Sequence, residues 1–103
     1  MGIITKVADD QSSVTISING QFNASVHREF RNAYKDQVEV PAKTDFIVDL
    51  ANTDYMDSSA LGMLLLLHEY AGGDAAKVII KQPKKTIRDI LEIAKFDRMF
   101  TII

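Results

Sequence analysis

The 103-residue chain has no cysteine, which excludes a disulfide framework and any thiolate metal site. No apolar stretch approaches the roughly 18 residues that a membrane span requires. The start, Met1-Gly2-Ile3-Ile4-Thr5-Lys6, lacks the basic region and long apolar segment of a secretion signal. Gly2 is followed by Lys6 where an N-myristoylation motif wants Ser or Thr. Cytoplasmic location is therefore expected, with no direct membrane insertion. Basic excess is also missing: 12 Lys and Arg against 14 Asp and Glu leave a net charge of −2. A nucleic-acid binder would show a basic surplus or stripe. Two histidines without spaced carboxylates make no metal site. Gly72-Gly73 comes after a helical pattern instead of preceding one, so no phosphate loop is present. No cofactor is expected.

The remainder is an ordinary globular composition, 47% hydrophobic and 25% charged, of a length for one domain over 1–103. Residues 3–8 and 13–19 alternate around the turn composition Asp9-Asp10-Gln11-Ser12 and predict an antiparallel hairpin. Gly20 ends the second run. Asn23 or Ser25 then caps a helix over about 26–37, with Val26, Phe30 and Ala33 at helical spacing. Pro41 precedes a central strand at 45–50. Next come a helix from Ser58 to Ala71 and a strand at 77–81. Pro83 and Thr86 open a third helix, whose Ile87, Ile90, Leu91 and Ala94 fit the helical period. Met99 to Ile103 close the chain as a short strand. A hairpin followed by alternating helices and strands implies a mixed sheet with mainly parallel crossovers. Lys81, Lys84, Lys85 and Arg88 cluster as the solvated start of the third helix.

The most informative stretch is Met56-Asp57-Ser58-Ser59-Ala60-Leu61-Gly62. It sets two hydroxyls beside a carboxylate where an apolar helix begins. All three polar residues are favoured N-caps. A hydroxyl there also faces solvent and free backbone N–H donors, so a phosphate would be tolerated. Ser58 is thus a candidate cap and a candidate switch.

At about 100° per residue, Leu64, Leu67 and Ala71 fall within roughly 40° of Ala60 and predict the buried side. Ser58, Gly62, Leu65 and Glu69 fall opposite, with Leu66 and Met63 on the flank toward Ser59. A mid-helix glycine costs about 1 kcal/mol relative to alanine. On an outward side, bare backbone admits another chain and Leu65 and Leu66 supply apolar contact. Packing of Gly62 against a neighbouring helix is the other reading of the same pattern.

Catalysis finds little support. A nucleophilic Ser58 needs a base within hydrogen-bond reach. His68 lies ten residues on, roughly 15 Å along the helix, and reads as a flank residue. His27, in another helix, reads as a surface residue. Asp54 and Asp57 have no acid–base partner that sets them apart from loop solvation. The chain is not expected to be an enzyme.

The 56–62 segment and its strand–loop–helix setting resemble the signature of the STAS domain, in particular the single-domain anti-sigma factor antagonists of bacteria. The likeness takes in the hairpin, Gly20-Gln21-Phe22-Asn23, the strand at 77–81, Pro83 and Phe96-Asp97-Arg98-Met99-Phe100. It implies an α/β fold with a mixed sheet of about five strands, an N-terminal hairpin then mainly parallel strands, and three to four helices. It implies that Ser58 is phosphorylated by a serine kinase, often itself an anti-sigma factor, and that a PP2C-type phosphatase reverses this. The dephosphorylated form would bind its partner and release the target that the partner held. Asp57, Ser58, Ser59, Gly62, Leu65 and Leu66 become partner contacts, with Asn23 near the phosphate. The alternative within the family is a constitutive adaptor subunit, for example of a transporter, using the same face without phosphorylation.

Three positions depart from the family pattern. Asn23 stands where many relatives have Asp. Ala60 replaces a common Gly and favours the helix. The chain stops at Ile103 without a C-terminal helix, which predicts that Phe100 to Ile103 are left partly uncovered.

Overall fold

The computed structural model describes residues 2–10, 12–35, 45–73 and 77–103. Val14, Ile16 and Ile18 alternate with Ser13, Thr15 and Ser17, so β2 (Ser13–Ile18) buries every second side chain. β1 (Ile3–Val7) pairs with it antiparallel, and Asp10 accepts a hydrogen bond from the Ser12 N–H at 2.9 Å in the turn. Both hairpin strands are as expected. β4 (Asp45–Asp49) adds to β2 in parallel. β6 (Val78–Lys81) adds to β4, and β7 (Thr101–Ile102) to β6, also in parallel. The five-stranded order is β1-β2-β4-β6-β7. One antiparallel pair followed by parallel ones is the mixed sheet that the sequence implies.

α1 (His27–Lys35), α2 (Ser58–Ala71) and α3 (Lys85–Ile93) supply the rest of the core. Phe30 and Tyr34 of α1, Leu64 and Leu67 of α2, and Ile87 and Leu91 of α3 join the sheet side carrying Val14, Ile16, Val48 and Ile80. The opposite side, with Ser13, Thr15, Ser17, Ile47 and Ile79, is only half-buried. α2 has the limits the sequence predicts, with Gly72 (φ 124°) directly after it in a backbone conformation that side chains rarely adopt.

A second, two-stranded parallel sheet departs from expectation. β3 (Gly20–Phe22) pairs with β5 (Thr53–Met56), and both read as connecting loop from sequence alone. Three- and four-residue strands carry too few residues to display a period. Gly20 does not simply end β2. Its φ of 85° turns the chain into β3, while its N–H donates to the Asn52 carbonyl at 2.9 Å. The buried Thr53 hydroxyl donates to the Ile18 carbonyl at 2.7 Å and ties the small sheet to the large one.

Other boundaries move by a few residues. A 3₁₀ turn, Ala24–Val26, precedes α1, and Asn23 caps it. The expected end of that helix near Gln37, like Pro41, lies outside the described residues. α3 begins at Lys85, after a buried Pro83, with Lys84 at the cap position and no side-chain cap. It gives way to a second 3₁₀ turn, Phe96–Arg98, through Lys95 in a left-handed conformation (φ 62°). β7 is therefore shorter than the 99–103 expected. Lys84 and Lys85 face solvent, as the sequence implies, and pair with Asp54 and Asp89.

Two expectations about burial are corrected. Phe100 is buried, stacked on Phe96 at 5.3 Å and against His68 at 5.2 Å, whereas Thr101 and Ile103 are exposed and Ile102 half-buried, as expected. His68 is consequently a buried residue at the edge of the core, not a flank residue.

Candidate functional site

β3 and β5 run in parallel, so their C-terminal ends lie together. Phe22 is opposite Met56, and the Asp57 N–H donates to the Phe22 carbonyl at 3.4 Å. The first residue beyond each strand caps a helical segment. Asn23 Oδ1 accepts from the Ser25 N–H at 3.0 Å and its hydroxyl at 2.6 Å. Asn23 Nδ2 donates to Gln21 Oε1 at 3.1 Å. Asp57 Oδ1 accepts from the Ala60 N–H at 3.2 Å. The structure thus brings Asn23 and Asp57 to one end of the small sheet, although α1, β4 and β5 lie between them in the chain.

The cap is Asp57 alone. Ser58 and Ser59 are the first two residues of α2, both exposed. Their backbone N–H groups are among those an α-helix leaves without an intrahelical partner. The end therefore carries partial positive charge, set against the Asp57 carboxylate. Ala60, Leu64 and Leu67 are fully buried and Met63 nearly so, so Ser58 points away from the core.

Gly62 lies one turn further along, exposed, and a Cβ built there meets nothing within 4 Å. The packing alternative for this glycine is thereby excluded within the described residues: no neighbouring helix requires it bare. Leu65 and Leu66 are 40% and 48% exposed. Asn23, Asp57, Ser58 and Ser59 are grouped at the helix start, and Gly62, Leu65 and Leu66 run from it along the outward side.

Two further exposed aromatics adjoin the site and escape the sequence reading. Tyr55 (52% exposed) stands on β5 opposite Gln21, and Tyr70 (45% exposed) follows Leu66 on the flank of α2 that meets Tyr34 of α1.

No base serves the Ser58 hydroxyl among the described residues. The His68 ring lies against Phe100 in the core margin, and His27 is on the surface at the start of α1. Among the described residues no three His, Asp or Glu are placed to share a metal ion. None of the described helices is long and apolar enough to cross a membrane.

Residues 5–102 match the family model described as "Mlab, STAS domain". The chain belongs to the STAS domain family. A STAS-domain containing protein of Pseudomonas aeruginosa (strain UCBPP-PA14) is 40% identical over 102 residues, 99% of either chain. The STAS fold here is also similar to two solved structures of the anti-sigma factor antagonist SpoIIAA. For the unphosphorylated form the TM-score is 0.81 at 18% identity, over 98% of this chain and 87% of that one. For the phosphorylated form, from Bacillus, it is 0.67 at 15% identity, over 98% and 90%. At these identities the likeness establishes the fold of the STAS domain and not its partners.

Proposed function

We propose that this STAS domain is an anti-sigma factor antagonist controlled by phosphorylation of Ser58. Dephosphorylated, it binds an anti-sigma factor that is also its serine kinase and releases that partner's target. A PP2C-type phosphatase restores the binding form. Asp57, Ser59, Gly62, Leu65 and Leu66 contact the partner, and Asn23 stands beside the modified group.

One observation carries the reading. A free hydroxyl at the exposed start of α2 shares its side of the helix with Gly62, whose bare backbone the fold itself does not use. The existence of SpoIIAA in phosphorylated and unphosphorylated forms on the same fold is consistent with it.

The physics is local. Phosphorylation adds about −1.5 to −2 charges and three acceptor oxygens. At the first turn of a helix that charge meets favourable N–H groups, so the fold gains or loses little. A chain docked over Gly62 and Leu65 meets instead a hydrated dianion beside Asp57. A loss of roughly 3–4 kcal/mol there weakens binding several-hundredfold.

Intact-mass analysis of the protein from its native host tests this, with a species about 80 Da heavier mapped to Ser58. Ser58→Ala should retain its partner constitutively and Ser58→Asp should release it. Equal affinities of the two variants, or a host protein that is never modified, would point instead to a constitutive adaptor.

A further inference from the structure

α1 and α2 lie side by side, with Tyr34 against Tyr70 at 5.0 Å. That contact fixes which flank of each helix faces the other. On α1, His27, Arg31 and Lys35 recur every fourth residue, which at about 100° per residue makes one stripe adjoining Tyr34. Arg28 widens it toward solvent, and all four are exposed. On α2, the flank bearing Tyr70 also carries Leu66 and Ser59, again exposed. The furrow between the helices is therefore cationic along one wall and apolar along the other, and Ser59 stands at the first turn of the apolar wall.

The charge is local. The chain as a whole is −2, yet α1 carries Arg28, Arg31 and Lys35 against one acid, Glu29, which falls on the flank away from α2. Arg31 lies near enough to Tyr34 to oppose the rise that burial imposes on the phenol's pKa. The cationic wall thus reaches the Tyr34–Tyr70 contact.

We propose that this furrow receives an acidic amphipathic helix of the partner, its apolar side on Leu66 and Tyr70 and its carboxylates on Arg31 and Lys35. Charge complementarity selects that occupant. A basic segment would meet three like charges. An extended polyanion would run from the short cationic stripe onto Glu69, and a bilayer would need a broader apolar surface than two half-exposed side chains in a furrow. The inference rests on the proposed docking role of α2 and adds the chemistry of the segment that docks.

The test uses the ¹⁵N-labelled full chain and two synthetic amphipathic peptides with the same leucine face, one flanked by glutamates and the other by lysines. The acidic peptide should move the backbone signals of Arg31, Leu66 and Tyr70 and bind at least about tenfold more tightly than its basic twin. The double variant Arg31→Glu/Lys35→Glu, with unchanged circular dichroism, should lose about tenfold or more of that affinity, and added salt should weaken the wild type. Equal binding of the two peptides, or an acidic peptide that leaves the furrow signals unmoved, would overturn the proposal. So would tighter binding of anionic phosphatidylglycerol vesicles or a short DNA duplex to the same residues. Modification of Ser58 is read separately by mass. A phosphorylated Ser58 with an inert furrow removes this inference alone, and a responsive furrow with unmodified Ser58 removes the switch alone.

Discussion

Asn23 and Asp57 cap separate helical segments from adjacent strand ends, held together because Phe22 pairs with Met56 in the small parallel sheet. The site is thus a property of the β3–β5 pair as much as of α2. Anything that loosens this pair should disturb the site without touching its residues.

Thr53→Val is the direct probe. The side chain keeps its size but loses the 2.7 Å bond to the Ile18 carbonyl. Leaving a buried polar group unsatisfied costs about 1–3 kcal/mol, to be read as a lower urea midpoint with an unchanged slope. Amide signals of Asn23 and Asp57 should shift although neither residue is altered.

Capping and recognition can be separated at Asp57. Asp57→Ala should destabilise by about 1 kcal/mol through loss of the bond to the Ala60 N–H. Asp57→Asn keeps an acceptor, and its unfolding free energy should stay within a few tenths of a kcal/mol of wild type. If the proposed function is right, the amide variant should still capture partner more weakly, because the carboxylate is a contact as well as a cap.

Gly62→Ala should move stability and binding in opposite directions. The new methyl meets nothing within 4 Å, so the helix gains up to about 1 kcal/mol and the thermal midpoint rises. Partner affinity should fall, because the methyl stands where the docked chain approaches. A rise in both would show that the bare backbone serves no partner.

Charge at the tip of α2 should leave the fold alone. Ser58→Asp puts an acid on the first helical residue, where the macrodipole favours it by about 0.3–1 kcal/mol, partly offset by Asp57. Its unfolding free energy should stay within about 1 kcal/mol of wild type, with amide shifts confined to the start of α2.

Alkaline stability should report Tyr34. Burial raises the phenol's pKa, more than Arg31 lowers it, so the folded state favours the neutral form. The folded value lies above the unfolded one, so this stability is present in full below the unfolded pKa, about 10. It is lost as pH rises from there through the folded value. Tyr34→Phe should flatten that alkaline fall in the unfolding midpoint.

Sequence periodicity locates the long elements because their burial is strict. The alternation of Val14, Ile16 and Ile18 and the apolar side of α2 through Ala60, Leu64 and Leu67 can be satisfied only by one face against a core. The family resemblance draws attention to Ser58, and its position at a helix start is legible from residues 56–62 alone. β3 and β5 are not legible, since Gly20–Phe22 and Thr53–Met56 are shorter than the window in which a period can be counted. Tyr55 and Tyr70 escape notice because an exposed aromatic has no local pattern. Phe100 reads as open because its cover, Phe96 and His68, comes from a 3₁₀ turn and a distant helix.

By itself, then, the sequence determined the order of the main strands and helices, the outward side of α2 and the place of Ser58 on it. These arise from spacing along one segment, and local spacing is the quantity on which burial acts. Only the tertiary structure decided that Asn23 and Asp57 share one end of the small sheet, that His68 closes over Phe100, and that the cations of α1 face Leu66 and Tyr70 across a furrow. Those relations join residues far apart in the chain, and they exist only once strand pairing and helix packing have closed the loops between them.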